Sequence, residues 1–205
     1  MANTNAPFGL RPVRYASGAP YNGAANPYFA TGATGDIFVG DPVVMAGAAN
    51  TSAFADYQPG ALATVTVALA GDGDPILGVC VGVQPVTRDS TVYRATSTDR
   101  IIFVADDPNL VFYGQTDTAG TDWAGTDVGS YANMLVGTGS TTTGLSGWTL
   151  DTTDVPDTSD VSNQLLIVRL APIPGNDIGE YSIWEVLINN HQLANVADAG
   201  RFTGV

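Results

Sequence analysis

From residue 36 onward, short apolar runs alternate with stretches of turn-forming residues. Ala61 to Ala70 places Val65, Val67 and Leu69 at every second position, the period of a half-buried strand. Ile76 to Val83 is mostly apolar, and Gly78 and Gly82 within it suggest bulges or a close backbone approach. Arg100–Ala105 and Leu110–Gln115 are separated by Asp106-Asp107-Pro108-Asn109, and this pattern predicts a hairpin. Ile37–Val39, Val43–Met45, Thr91–Arg94, Tyr131–Val136, Leu145–Leu150 and Gln164–Leu170 read as further strands. Tyr181–Asn189 fits a strand, with Ile183, Glu185 and Leu187 on one face, or a short helix; the strand is the preferred reading. The sum is roughly nine to eleven short strands at spacings of about 8–15 residues, the signature of a sandwich or barrel. A parallel α/β fold would need crossover helices, and no segment supplies them. The expected class is therefore all-β, an antiparallel β-sandwich or barrel, jelly-roll-like.

Residues 1–35 have another character. Pro7, Pro12, Pro20 and Pro27 are scattered among Gly, Ala, Asn and Tyr, so neither a helix nor a central strand can run far. Phe8, Leu10, Val13, Tyr15, Tyr21, Tyr28 and Phe29 make the segment too apolar for a disordered linker. It must lie on something, either its own domain or a neighbour. The run Pro7–Arg14 also holds two arginines, Arg11 and Arg14. The expected organisation is an extended N-terminal arm, 1–35, and a β-sandwich/barrel domain, 36–205; an ordinary N-terminal strand with loops is the alternative.

Composition sharpens this picture. The chain has no lysine, and its acids are eighteen aspartates and two glutamates, Glu180 and Glu185. Lys and Glu usually cover helix surfaces, whereas Asp favours turns and caps. Only 13% of the 205 residues are charged, about half the usual share, which suits a surface that lives against another protein. The formal net charge of -13 argues against direct nucleic-acid binding and against anionic membrane surfaces. No run approaches the length of a membrane span, and the first residues lack the pattern of a secretory signal; a cytoplasm-like compartment is the expected place of synthesis.

Catalytic material is scarce. His191 is the single histidine, and no Gly-x-Ser-x-Gly elbow is present. Cys80, the lone cysteine, sits in an apolar run and reads as a small buried hydrophobe. One His and one Cys cannot build a usual zinc site. Asp72 and Asp74, or Asp151, Asp154, Asp157 and Asp160, could offer oxygens to calcium, but turn and solvation roles fit their spacing better. Trp148 and Trp184 lie in apolar patterns and read as core; Trp123, in a polar loop, is the one candidate for an exposed sugar-stacking platform. No catalytic, cofactor or metal residue is assigned, and the expectation is a protein that is not an enzyme.

Two parts of the chain carry a resemblance. Asn5-Ala-Pro-Phe-Gly-Leu-Arg-Pro-Val, with Tyr21-Asn-Gly and Gly40-Asp-Pro-Val-Val, resembles small structural proteins of tailed bacteriophages, as does the ending Pro174-Gly-Asn-Asp-Ile-Gly with Val186-Leu-Ile-Asn-Asn-His. They look like capsid cement, or head decoration, proteins. The resemblance implies a β-rich, often trimeric subunit, made in the host cytoplasm and placed on the outer surface of the virion head. There it would clamp neighbouring copies of the major capsid protein. It further implies that an extended arm reaches across subunits, with Phe8, Leu10 and Tyr15 filling pockets and Arg11 and Arg14 pairing with acids on the shell. A tail or head-fibre component, or a carbohydrate-binding β module, is the alternative.

Overall fold

A computed structural model describes residues 3–33, 35–71 and 73–194. The chain is all-β, as its pattern predicts, with one short 3-10 turn at Gly125–Asp127. Twelve strands follow in order: β1 Leu10–Tyr15, β2 Asn26–Ala30, β3 Pro42–Ala49, β4 Ala63–Val67, β5 Gly78–Val83, β6 Arg100–Ala105, β7 Leu110–Gln115, β8 Tyr131–Ala132, β9 Met134–Leu135, β10 Thr149–Leu150, β11 Leu165–Leu170 and β12 Ile183–Ile188. Five close a barrel in the order β2-β4-β3-β5-β6; five form an antiparallel sheet, β1-β7-β12-β11-β8; β9 and β10 pair beside it. This connectivity differs from the two Greek keys of a jelly roll. One barrel contact, β2 against β4 at Phe29 and Thr64, is parallel.

Two cores result from the alternation of side chains along the strands. Inside the barrel, Ala30, Val43, Val65, Cys80, Ile102 and Val104 pack together. Their neighbours on the outer side of β5 and β6, Val79 and Ala105, join a second core with Leu10, Phe112, Trp184 and Val186 of the sheet. The sheet therefore lies on the barrel wall, and β5 and β6 serve both layers.

The segment 106–109 is not a hairpin. It carries the chain from one layer to the other: β6 pairs with β2 and β5, and β7 with β1 and β12. Both edges of each strand are thereby filled. The Asp106 carboxylate fixes the exit, accepting hydrogen bonds from the Tyr28 hydroxyl at 2.6 Å and the Asn26 amide at 2.9 Å, both on β2. Burial, together with the bond to this carboxylate, pushes the Tyr28 hydroxyl well above its ordinary pKa.

The boundary expected at residue 35 also gives way. Of the two placements open to the N-terminal segment, it lies on its own domain: β1 is a strand of the sheet and β2 a stave of the barrel. The β1 edge is closed by the chain itself. The Leu10 amide donates to the Gly40 carbonyl, the Tyr15 amide to that of Ala19, and the Tyr21 amide to that of Val13. Pro12 has no amide hydrogen to offer. The outer edge of β1 is thus largely occupied by the chain's own backbone. Residues 195–205 of the expected domain, and Met1 and Ala2 of the expected arm, lie outside the described residues.

Candidate functional site

Residues 3–8 and Arg11 form a ridge along the junction of barrel and sheet, with Gly9 and Leu10 buried. Buried Gln115, at the end of β7, holds one side of it. Its side-chain amide donates to the Thr4 carbonyl at 2.9 Å and the Tyr181 carbonyl at 3.1 Å, and its oxygen accepts from the Ala6 amide at 2.9 Å. Asn3 is tied to the 177–180 turn, donating to the carbonyls of Asp177 and Glu180. Further on, Gly9 crosses Gly40 backbone to backbone. A Cβ on Gly9 would lie 2.1 Å from the Gly40 oxygen, and one on Gly40 would lie 2.0 Å from the Phe8 oxygen. Both glycines have left-handed φ, +68° and +101°, so the crossing needs glycine at each position.

This seat leaves Arg11 exposed and Phe8 half-buried beside it. The Arg11 guanidinium stands over the Phe8 ring, 4.8 Å from its centroid, a cation–π pair. Arg11 is exposed and has no ion pair among the described residues. A groove of about 610 Å³ opens on one side of the pair, walled by Pro7, Ile173, Pro174 and Ile183. A second, of about 220 Å³, opens on the other, walled by Pro12, Tyr21, Val39 and Val81. Phe8, Arg11 and Leu145 border both. The far wall of the larger groove is held by Asn176, whose side chain donates to the carbonyls of Ala171 and Ile183 and accepts from the Ile183 amide.

The five residues that sequence reasoning grouped as capsid contacts separate here. Phe8 and Arg11 come together on the ridge. Leu10 is 1% exposed and belongs to the core between the layers, so it cannot fill a partner's pocket. Arg14 is turned to its own sheet: it bonds Glu185 at 2.6 Å, and Arg169 binds the same carboxylate from the other side at 2.9 Å. Burial alone would raise the Glu185 pKa, but hydrogen bonds from Arg169 and Arg14 outweigh it and hold the group below the ordinary value. Tyr15 is half-buried against the core cluster and borders neither groove. Gln115, Gly9 and Gly40, which build the ridge, were not among the expected contact residues; the two glycines entered only as members of the Phe-Gly-Leu-Arg and Gly-Asp-Pro runs.

Trp123 is a correction. It is fully buried and meets Trp184 edge to face, ring centroids 5.9 Å apart, while Trp148 is 3% exposed. The three tryptophans provide no surface on which a sugar could stack. The loop that carries Trp123 is pinned to the 152 region, with the Gly120 amide donating to the Thr152 hydroxyl.

The remaining candidates are spent within the fold. Cys80 is buried in the barrel, and burial pushes its thiol up to about 12, far from the thiolate. His191 is buried, and its Nδ1 accepts from the Leu193 amide at 3.0 Å. Asp151, Asp157 and Asp160 accept hydrogen bonds from Thr153, Ser159 and Ser162 two residues on, while Asp154 accepts from Asn133. No group of three metal-binding side chains occurs among the described residues, and Asp72 lies outside them.

Asp41 follows Gly40 of the crossing in the chain. It closes the turn 38–41, accepting from the Phe38 amide at 2.8 Å, and is 2% exposed. Burial raises its carboxyl from 3.8 to about 6 against the hydrogen bonds from Ser146 and Phe38 that favour its charge.

Comparison with known families, curated proteins and solved structures finds no match for this chain.

Proposed function

We propose that the chain is a capsid cement protein. In this reading it is a non-enzymatic subunit on the outer surface of a tailed-phage head, where it grips neighbouring major capsid subunits and works as a homotrimer. The observation that carries the proposal is the Phe8–Arg11 ridge, a prepared contact with apolar grooves on both sides. In a chain of net charge -13, an exposed guanidinium without an ion pair among the described residues is suited to an acid on a partner. The sparse charge of the surface lowers the cost of covering it. Binding the assembled lattice in preference to free subunits stabilises the shell by mass action, and many copies convert modest contacts into avidity. The resemblance of both chain ends to cement proteins agrees with this role.

The test uses expanded phage heads stripped of the protein, with bound copies counted after co-sedimentation and located by electron microscopy. The expected result is decoration of the icosahedral faces, with the double variant Phe8→Ala, Arg11→Glu binding at least about tenfold more weakly, since each tenfold step needs only about 1.4 kcal/mol. Label confined to the vertex or tail would favour a fibre or tail component. Full occupancy by the double variant would remove the ridge from the mechanism.

A further inference from the structure

We infer that the two grooves form one recognition track for an extended acidic segment of a partner protein, with an apolar residue at each end and the acid between. The inference rests on the adhesive role proposed above and adds the chemistry of the partner. Phe8, Arg11 and Leu145 border both depressions, so the two share one wall and Arg11 is within reach of an occupant of either. The side-chain amides along the larger groove, those of Asn3, Gln115 and Asn176, are engaged with the chain's own backbone. What faces the occupant is therefore mostly apolar surface, with Arg11, stacked on the Phe8 ring, as the one charged side chain lining either groove.

That combination selects the occupant. A nucleic acid would need several cations, and the chain is strongly acidic. A small ligand is enclosed by its pocket, whereas these are open depressions that share a wall. An extended segment presents residues i, i+2 and i+4 on one side, about 7 Å apart. Its i and i+4 side chains can enter the two grooves while the carboxylate at i+2 meets Arg11. The motif is apolar-x-acid-x-apolar.

The experiment is an NMR titration of the full chain with the blocked peptide acetyl-Gly-Leu-Thr-Asp-Thr-Val-Gly-amide. Two control peptides accompany it: one with Asn for Asp, the other with the acid moved by one position. The expected result is saturable shifts at Phe8, Arg11 and Leu145, with affinity at least fivefold lower for both controls and for Arg11→Gln. Arg11 is exposed, so that variant should keep the wild-type spectrum elsewhere, which checks its fold. Absence of binding at millimolar peptide, equal binding of the shifted peptide, or shifts confined to other surfaces would overturn the track. Decorated heads without peptide binding would reject the track and leave the cement reading standing. Peptide binding without head binding would do the reverse.

Discussion

At the scale of single residues, two buried carboxylates give the fold opposing pH slopes. Asp41 has a folded pKa above its ordinary value, so it favours the folded state only while protonated. That contribution is complete below about pH 3.8 and is lost as pH rises through about 6. The loss is on the order of 3 kcal/mol, from about two pKa units at about 1.4 kcal/mol each. Asp41→Asn keeps an oxygen for the Phe38 amide and should flatten this decline; melting curves at pH 4.5 and 7.5 check it, and an unchanged slope would refute the assignment. Glu185 runs the other way. Its folded pKa is depressed, so its contribution is present above about pH 4.5 and is lost on acidification. Glu185→Gln leaves Arg14 and Arg169 with a neutral partner, and urea titration at pH 7 should show a cost of about 2 kcal/mol. Neither environment was legible beforehand. Local sequence shows that Asp41 precedes a proline and that Glu185 sits in a strand, but burial of the one and pairing of the other come from residues far along the chain. Trp123 failed for the same reason: polar neighbours in sequence said nothing of Trp184 beside it in space.

At the scale of elements, β3 to β7 and β11 and β12 were readable to within a few residues, because period-two alternation and flanking turn residues are local signals. Strand partners were not. The link 106–109 has the composition of a hairpin turn, yet Asp106 spends its carboxylate on β2, and β7 turns to β1 and β12. β1 was expected only as the alternative to an extended arm, because its prolines argue against a strand. Its edge position reconciles the two, since Pro12 faces a side where no strand pairs. Leu10 is the core residue of this strand, and Leu10→Ala should cost about 3 kcal/mol in chemical denaturation. Loss below about 1 kcal/mol would mean that β1 is only draped on the sheet. Deleting residues 1–20 removes a strand of the body, so it would test folding before it tested adhesion; point changes at Phe8 and Arg11 separate the two.

At the scale of the molecule, the all-β class followed from composition and pattern together. The division into barrel and sheet did not, because β5 and β6 face both cores and their glycines reveal only that something approaches closely. For Gly78 that neighbour is the Ala105 carbonyl, 2.4 Å from where a Cβ would stand. The candidate site was half visible: an aromatic beside an arginine in an acidic chain marked the region, while the larger groove is walled by residues 145 and 173–183 from the far end of the sequence.

The passage between layers at 106–109 also governs when the protein can form. On the ribosome, β1 emerges about a hundred residues before β7, its partner, and Ile76 waits for His191. At about 5–20 residues per second, the Phe8 segment stays exposed for several seconds before any sheet exists to receive it. The barrel strands all lie within residues 26–105, but the sheet lacks β11 and β12 until residue 188 has emerged, so the surface around Phe8 and Arg11 is completed long after the barrel.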